Sequence, residues 1–495
     1  MRRNTNFTKF VIKLFPMRFF ISSLIFLTSI HVNAQIVSIP DANFKSYLVN
    51  NMSINTNNDS EIQISEAATY SGVINCPSLN IQSLTGIEAF TALTELKCHN
   101  NQLTSLDVSS NTALTWLECT GNSLTVLDLS ALSNLDNLRF ENNQLTSLDV
   151  SNNVLLDAIN CSNNQLTSLV LGACDLTYLN CSNNNLSTLD ASNKSLSQFF
   201  CANNPNLTEL RCHKNQLTSL DISSNTALTW LECSGNSINT LDVSFLSNLN
   251  NLRCQNNQLS VLDLSNNSQL DALNCDDNNL TNLVLGENET LTYLQCVSNS
   301  LTSIDISSQI NLEVLWLLNN NISSLDIYNN DSLKNLHVGQ NPLIELDVSS
   351  NKKLHTLNCW RSDIISLDLR FNTSLTYLAI SEMNDLSCVN FANGNNSEVT
   401  YFDADFNPSL TCIQVDDSIY SAQNWNIIDS QMYFSETCSG DCNQPPLSVS
   451  HITKPDKKEL VRIIDLLGKE TKPEVNTIQV YQYSDGSFEK KVVIE

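Results

Sequence analysis

Basic residues are scarce in this chain of 495 residues: 25 Lys and Arg stand against 51 Asp and Glu, a formal net charge of −26. Nucleic acids and anionic membrane surfaces are bound by basic patches, so neither is an expected partner. Beyond residue 34 no apolar run approaches the ~18 residues of a membrane-spanning helix. Catalytic signatures are missing as well. There is no G-x-S-x-G elbow, no H-E-x-x-H, no G-x-x-x-x-G-K phosphate loop and no C-x-x-C pair. These absences leave a protein that acts by binding, with no enzymatic activity expected.

Residues 1–34 carry no Asp or Glu but five basic residues, Arg2, Arg3, Lys9, Lys13 and Arg18. An apolar run follows over residues 19–30, ending in Val32-Asn33-Ala34 before Gln35. A basic start, a short apolar stretch and a small-residue exit form a secretory signal, with Met17 able to begin a compact version. The expected location is therefore extracellular or on an outer-membrane surface. High negative charge would keep such an exported molecule soluble.

What the chain has in abundance is a repeat. From Leu93 it reads Leu93-x-x-Leu96-x-Cys98-x-x-Asn101-x-Leu103-x-x-Leu106-Asp107-Val108-Ser109-x-Asn111, restarting at Leu114, Leu135 and Leu156 and, after small slips, from Leu176 to Leu375. The period of 21 nests a ten-residue unit, LxxLxCxxNx, and an eleven-residue unit, LxxLDxSxNxx. In each, apolar and polar residues alternate over a few positions and then meet Asn or Ser. That is a short strand with one buried face, closed by a turn. One unit cannot bury its apolar side alone, so neighbours must stack. Thirty half-units lie between Leu93 and Thr411, fifteen turns of a mainly β solenoid with parallel strands on two faces.

Over residues 80–415 this frame resembles the bacterial leucine-rich repeats, and among them the nested 21-residue class called IRREKO. The resemblance implies an asparagine ladder at Asn101, Asn122, Asn143, Asn164 and Asn184, each amide bonding the backbone at its turn.

Cys98, Cys119, Cys161, Cys181, Cys212, Cys233, Cys254, Cys275, Cys296 and Cys359 share one inward position, where other turns place Phe140, Leu317, Val338 and Ile380. A position that accepts those residues wants a hydrophobe, and free Cys is a small one. Stacked rungs about 4.8 Å apart with parallel Cβ vectors do not suit disulfides. The Asp column of the longer unit, Asp107, Asp128, Asp149 and onward, faces solvent and tolerates Val170 and Val284.

Outward positions around the Leu-x-Cys strands are more informative. They carry Trp116, Tyr178, Trp230, Tyr293, Trp316, Trp360 and Tyr377, interleaved with Lys97, Glu118, Arg139, Arg211, Glu232, Arg253, His337 and Arg361. Exposed aromatics with arginine make binding surfaces. The expected ligand is a protein on another cell or host surface; the alternative is a glycan packed on the aromatic rings.

A longer periodicity overlies the short one. Residues 94–124 recur as 208–238 with few changes, at an offset of 114 that spans eleven half-units. Eleven is odd, and the surplus unit, residues 196–206, offers inward-phase Leu196, Phe199 and Cys201. If it packs as a strand, the cysteine strands before Asn206 lie on one side and those after it on the other. If Pro205 ends the strand early, the segment bulges and the phase is restored.

Residues 35–92 form a cap ahead of the repeats, with a short helix around Phe44, Tyr47 and Leu48. The stretch after it resembles an EF-hand loop. That implies calcium ligands at Asn55, Asn57, Asp59, Glu61 and Glu66, although Asn55 stands where Asp is usual and Ser60 where glycine is. The alternative is a cap that holds no ion. Residues 412–442 form the opposite cap, where Trp425, Tyr433 and Phe434 would plug the end. Its disulfide candidate is Cys412–Cys438, with Cys388 and Cys442 as competitors. Residues 443–450 read as a linker. Residues 451–495 switch to eight basic and eight acidic residues and end in Asp485-Gly486-x-x-Glu489-Lys490-x-x-x-Ile494-Glu495. This tail is similar to the small β sorting domains of the type IX secretion system, without their upstream PNP signature. The similarity implies passage through that machinery.

Overall fold

A computed structural model describes residues 35–438 and, beyond them, the four strands Leu460–Ile464, Glu470–Thr471, Ile478–Tyr483 and Phe488–Val492. The signal segment 1–34 and the linker 443–450 lie outside the described residues.

Each repeat strand is three residues long. In Glu95–Lys97, Trp116–Glu118 and Asn137–Arg139 the central leucine is buried and its neighbours face outward. The next residue turns back inside, so Cys98, Cys119 and Phe140 are fully buried. Strands pair in parallel without offset, Leu96 opposite Leu117, Leu117 opposite Leu138 and Leu138 opposite Ile159. One unbroken core therefore runs from the first cap to the last.

The turn after each strand explains the recurrent Asn-Asn pairs. The first residue of the pair takes a left-handed backbone, with φ of 56° at Asn100, 57° at Asn142 and 54° at Asn163. Asn tolerates that region better than most residues, and Gly121 and Gly235 replace it at φ 65° and 63°. The second member points inward. Asn122 accepts from Leu103 N–H at 3.0 Å and donates to the carbonyls of Cys98 and Cys119 at 3.1 and 2.9 Å. Asn143, Asn164 and Asn184 repeat this bridge between rungs. The ladder satisfies backbone groups that no strand reaches.

Two long sheets result. Seven strands from Val73–Asn75 to Gln198–Phe200 form one, and eleven strands from Thr188–Asp190 to Tyr401–Asp403 form the other. The surplus half-unit packs as a strand. Gln198–Phe200 pairs with Tyr178–Asn180 and closes the first sheet, while Glu209–Arg211 pairs with Thr188–Asp190 and continues the second. Leu196, Phe199 and Cys201 are buried, and Asn204 keeps its ladder bonds beside Pro205. The two faces have exchanged. From Asn225 onward the Asp-type arcs occupy the side that the cysteine strands held before. Not every Asp-type arc is a regular strand; Ser147–Asp149 pairs with Ser168–Val170 and Val261–Asp263 with Asn282–Val284.

The stack reaches about 17 turns because Val73–Asn75 already pairs with Glu95–Lys97, and Tyr433–Ser435 with Cys412–Gln414. At the front, helix Ala42–Val49 buries Phe44 and Leu48. Its N-cap Asp41 accepts from Asn43 and Phe44 through one oxygen and from Gln82 and Ser83 through the other, which ties helix to solenoid. At the far end Trp425 stacks on Phe402 at 4.3 Å between ring centroids and meets Phe434 edge-on at 5.5 Å. Tyr433, by contrast, stays exposed. Cys412 and Cys438 are bonded, with Cα atoms 5.9 Å apart, and Cys388 is disulfide-bonded as well. The four strands of the tail form a separate antiparallel sheet.

Candidate ligand-binding face

The outward residues of the cysteine strands stand in two parallel files, one from the first position of each strand and one from the third. Trp116 and Trp230 head equivalent strands, with Glu118 and Glu232 at their ends. Tyr178, Tyr293 and Tyr377 also stand in the first file. Arg211, Arg253, Trp316 and His337 stand in the third-position file. The sheet break divides them. Trp116, Glu118 and Tyr178 belong to the seven-stranded sheet, and Arg211 to Tyr377 to the eleven-stranded one. Trp360 and Arg361 lie just beyond the strand Thr356–Asn358, with Arg361 in the left-handed turn position at φ 53°. There Trp360 covers Gly339, whose missing side chain makes room for the indole.

These side chains support one another. Lys97 and Arg139 lie over the two sides of Trp116, at 4.8 and 5.5 Å from its ring centre, and Arg253 lies 5.0 Å over Trp230. Arg361 covers Trp360 at 4.7 Å and pairs with Glu382 at 2.6 Å. The imidazoles of His99 and His213 approach Glu118 and Glu232 at 3.5 and 3.6 Å. Trp316 sits between Tyr293 and His337, at 6.4 and 5.0 Å. The indole N–H groups of Trp116, Trp230 and Trp316 are buried without a partner. The rings are therefore half sunk in the sheet, Trp116 and Trp230 braced by cations and Trp316 by two neighbouring rings, and pre-positioned for contact.

Two hollows interrupt the files, and the aromatic pattern alone did not reveal them. Each lies where an alanine takes the first strand position between an asparagine and a tyrosine. One, of about 360 Å³, is lined by Asn137, Arg139, Asp157, Ala158 and Tyr178. The other, of about 460 Å³, is lined by Asn251, Arg253, Asp271, Ala272 and Tyr293. A small residue at the same step of both copies, Ala158 and Ala272, was the sequence signal that could have found them.

The Asp column has a different task. Asp107, Asp128, Asp149, Asp190 and Asp221 each accept the N–H of the serine two residues on, at 2.8 to 3.1 Å. Serine donation holds the Asp128 carboxyl below the usual carboxylate range. These carboxylates close turns.

The EF-hand-like loop is also internally bonded. Glu66 accepts from Thr56 N–H and Oγ1 at 2.8 Å and from Gln63 N–H at 3.0 Å. Asp59 accepts from Glu61 N–H, Asn57 Nδ2 and Gln63 Nε2, while Glu61 pairs with Lys45 at 2.7 Å. Asn55 donates to the Val49 and Asp59 carbonyls, and its own amide oxygen is buried without a partner. Glu66 thus completes the capping box of helix Ile64–Thr69, and the other polar groups bond within the loop and to Lys45. Among the described residues no group of three or more His, Cys, Asp or Glu is arranged to hold a metal, and no helix is long and apolar enough to cross a membrane.

No family model and no curated protein matches the chain. Among solved structures it is similar to the functional domain of InlJ from Listeria monocytogenes, which includes a cysteine ladder. The identity is 32%, over 77% of this chain and 82% of that one, with a TM-score of 0.37. It is also similar to YopM, a leucine-rich effector protein of Yersinia pestis, at 25% identity over 69% and 88% of the two chains with a TM-score of 0.33. A leucine-rich-repeat protein of Leptospira interrogans is 19% identical over 75% and 97%, with a TM-score of 0.36. Superpositions this loose align no site and lend no function. On the repeat that its own parallel strands stack, turn upon turn, the chain is a leucine-rich-repeat solenoid.

Proposed function

We propose that this is an exported recognition protein with no chemistry of its own, which holds a protein ligand against its cysteine-strand sheets. One observation carries the reading: the half-buried tryptophans of both sheets are braced by cations, Lys97 and Arg139 on Trp116 and Arg253 on Trp230. Aromatic and arginine anchors supply most of the energy at protein interfaces, and anchors already fixed cost little to order on binding. Export rests on the signal-like residues 1–34, and delivery to the outer surface on the sorting-like residues 451–495. A second reading, glycan capture, is favoured by the two hollows.

The test is an array of surface proteins and glycans probed with the full chain and with a variant carrying Trp116→Ser, Trp230→Ser, Trp316→Ser and Trp360→Ser. The expected result is capture of a protein by the wild type, with a loss of 100-fold or more in a variant of unchanged circular dichroism. Equal affinity in the folded variant removes the aromatic files from consideration.

A further inference from the structure

We propose that the hollows at Tyr178 and Tyr293 are two equivalent subsites, each for one neutral pyranose ring, and that the face exchange lets one chain bridge two glycans. The proposal takes the cysteine-strand sheets as the recognition surface, as above, but its support is separate.

The first support is the state of the polar groups. In the first hollow the Asn137 amide and the Asp157 carboxylate make no hydrogen bond, and the Arg139 guanidinium lies over the Trp116 ring without a hydrogen bond or ion pair. In the second, the Asn251 amide is equally free and the Arg253 guanidinium lies over Trp230 without a hydrogen bond or ion pair, while Asp271 accepts 2.6 Å from Thr292 Oγ1. The amide oxygens of Asn137 and Asn251 are both shut away without a partner. Each hollow thus presents a donor-only guanidinium, an acceptor-only carboxylate and an amide nitrogen left to donate. Arginine and aspartate share the rim and are not paired with each other. A lysine or glutamate side chain from a partner would satisfy one charge and meet its own sign in the other. Adjacent sugar hydroxyls both donate and accept, so a neutral ring satisfies both at once.

The second support is the wall. A pyranose offers an apolar C–H face that packs on an aromatic ring, and the alanine floor leaves one side of each tyrosine open. The other side is backed by the next strand: Phe200 lies 6.0 Å behind Tyr178, and Trp316 lies 6.4 Å behind Tyr293. Those backing strands, Gln198–Phe200 and Val314–Trp316, differ at all three residues yet both place an aromatic third. Phe200 remains 48% exposed, a cost that a solvent-facing strand position ordinarily avoids.

The third support is placement. The first hollow is on the seven-stranded sheet and the second on the eleven-stranded sheet, so they open on opposite sides of the solenoid. One chain cannot close both on the same sugar.

The test uses the full chain labelled with fluorotyrosine, its Tyr178 and Tyr293 resonances assigned through Tyr178→Phe and Tyr293→Phe. It is titrated with the methyl glycosides of glucose, galactose, mannose and N-acetylglucosamine. At least one glycoside should shift both resonances saturably, with a dissociation constant on the order of 1 mM. Tyr178→Ala should silence the first hollow and leave the second unchanged. Beads carrying that sugar, as polysaccharide or as glycoprotein, should clump with the wild type and with neither Tyr178→Ala nor Tyr293→Ala; the bead type identifies the source of the sugar. No shift at 50 mM, a shift at one tyrosine alone, or a shift with lysine or glutamate peptides in place of sugars overturns the proposal. Sugar shifts at Tyr178, which Phe200 and not a tryptophan backs, should survive in the tryptophan variant after it has lost its protein ligand, and that survival separates this site from the wider reading.

Discussion

Cys181 and Cys212 fill equivalent buried positions, each one residue past a cysteine strand, and those strands belong to different sheets. The half-unit between them shifts the repeat by one phase without breaking the core. Each side of the solenoid therefore carries an aromatic file along one part of its length and Asp-type arcs along the other. The odd size of the duplicated block, and not any single residue, decides on which side each aromatic file stands.

The buried thiols should be reduced and silent. Thirteen cysteines among the described residues are free and buried. Burial pushes the Cys76, Cys233 and Cys359 thiols up to about 12 from an ordinary value of 9.0. A maleimide reagent at pH 8 should label none of the thirteen until the protein is denatured, and then all of them. Fewer than about eight new thiols would mean that the column is oxidised.

The same shifts set a pH dependence. Above pH 9 the unfolded chain releases thiol protons that the folded chain retains, so the unfolded state binds fewer protons and stability falls as pH rises. Thermal stability should be level from about pH 6 to 8 and decline from pH 9 upward. Replacing Cys76, Cys233 and Cys359 by Val should lessen that decline without removing it, since the other buried thiols share it; an unchanged slope would assign it to other groups.

Asn143→Leu tests the ladder. Its amide joins Leu124 N–H to the carbonyls of Cys119 and Phe140 at 2.9 to 3.0 Å. Leucine fills the space and leaves those buried groups unpaired, at about 1–3 kcal/mol. Denaturant titration should show that loss, and a neutral effect would mean that water replaces the amide.

The strand phase, the cysteine column and the asparagine ladder were all legible because each repeats, so one misread turn is outvoted by its neighbours. Residues that break the repeat were harder to place. Trp360 follows Cys359 and on the repeat alone belongs with the outward strand residues, but it sits in the turn because Gly339 leaves a gap there. The hollows escaped because they are made by what Ala158 and Ala272 lack. In the cap, the spacing of Asn55, Asn57, Asp59, Glu61 and Glu66 suited a cation, and spacing could not reveal that Lys45 and nearby N–H groups take up the carboxylates.

Trp425→Ala should loosen the far end only. The ring seals the core against Phe402 and Phe434. Its removal is worth about 3–5 kcal/mol locally, and in a solenoid each repeat leans on its neighbours alone. Hydrogen exchange should accelerate in strands Tyr401–Asp403 and Tyr433–Ser435 and stay unchanged in Glu95–Lys97. Uniform acceleration would show that the chain unfolds as one unit.

Deleting residues 196–206 should turn the two aromatic files into one. The deletion joins an Asp-type arc to the cysteine-type unit at Leu207, which restores strict alternation, so Glu209–Arg211 would pair with Tyr178–Asn180 instead of Thr188–Asp190. The core loses Leu196, Phe199 and Cys201 as a complete layer, which leaves no cavity, and the chain should still unfold cooperatively. Spin labels at Asn137→Cys and Asn251→Cys report the outcome, since the native free cysteines are buried from the label. In the wild type these sites lie on different sheets. In the deletion they should fall on one sheet, five rungs apart, at about 24 Å from the usual strand spacing. A folded deletion that keeps the longer wild-type distance would mean that the phase is set elsewhere, by the arcs and not by the count of half-units.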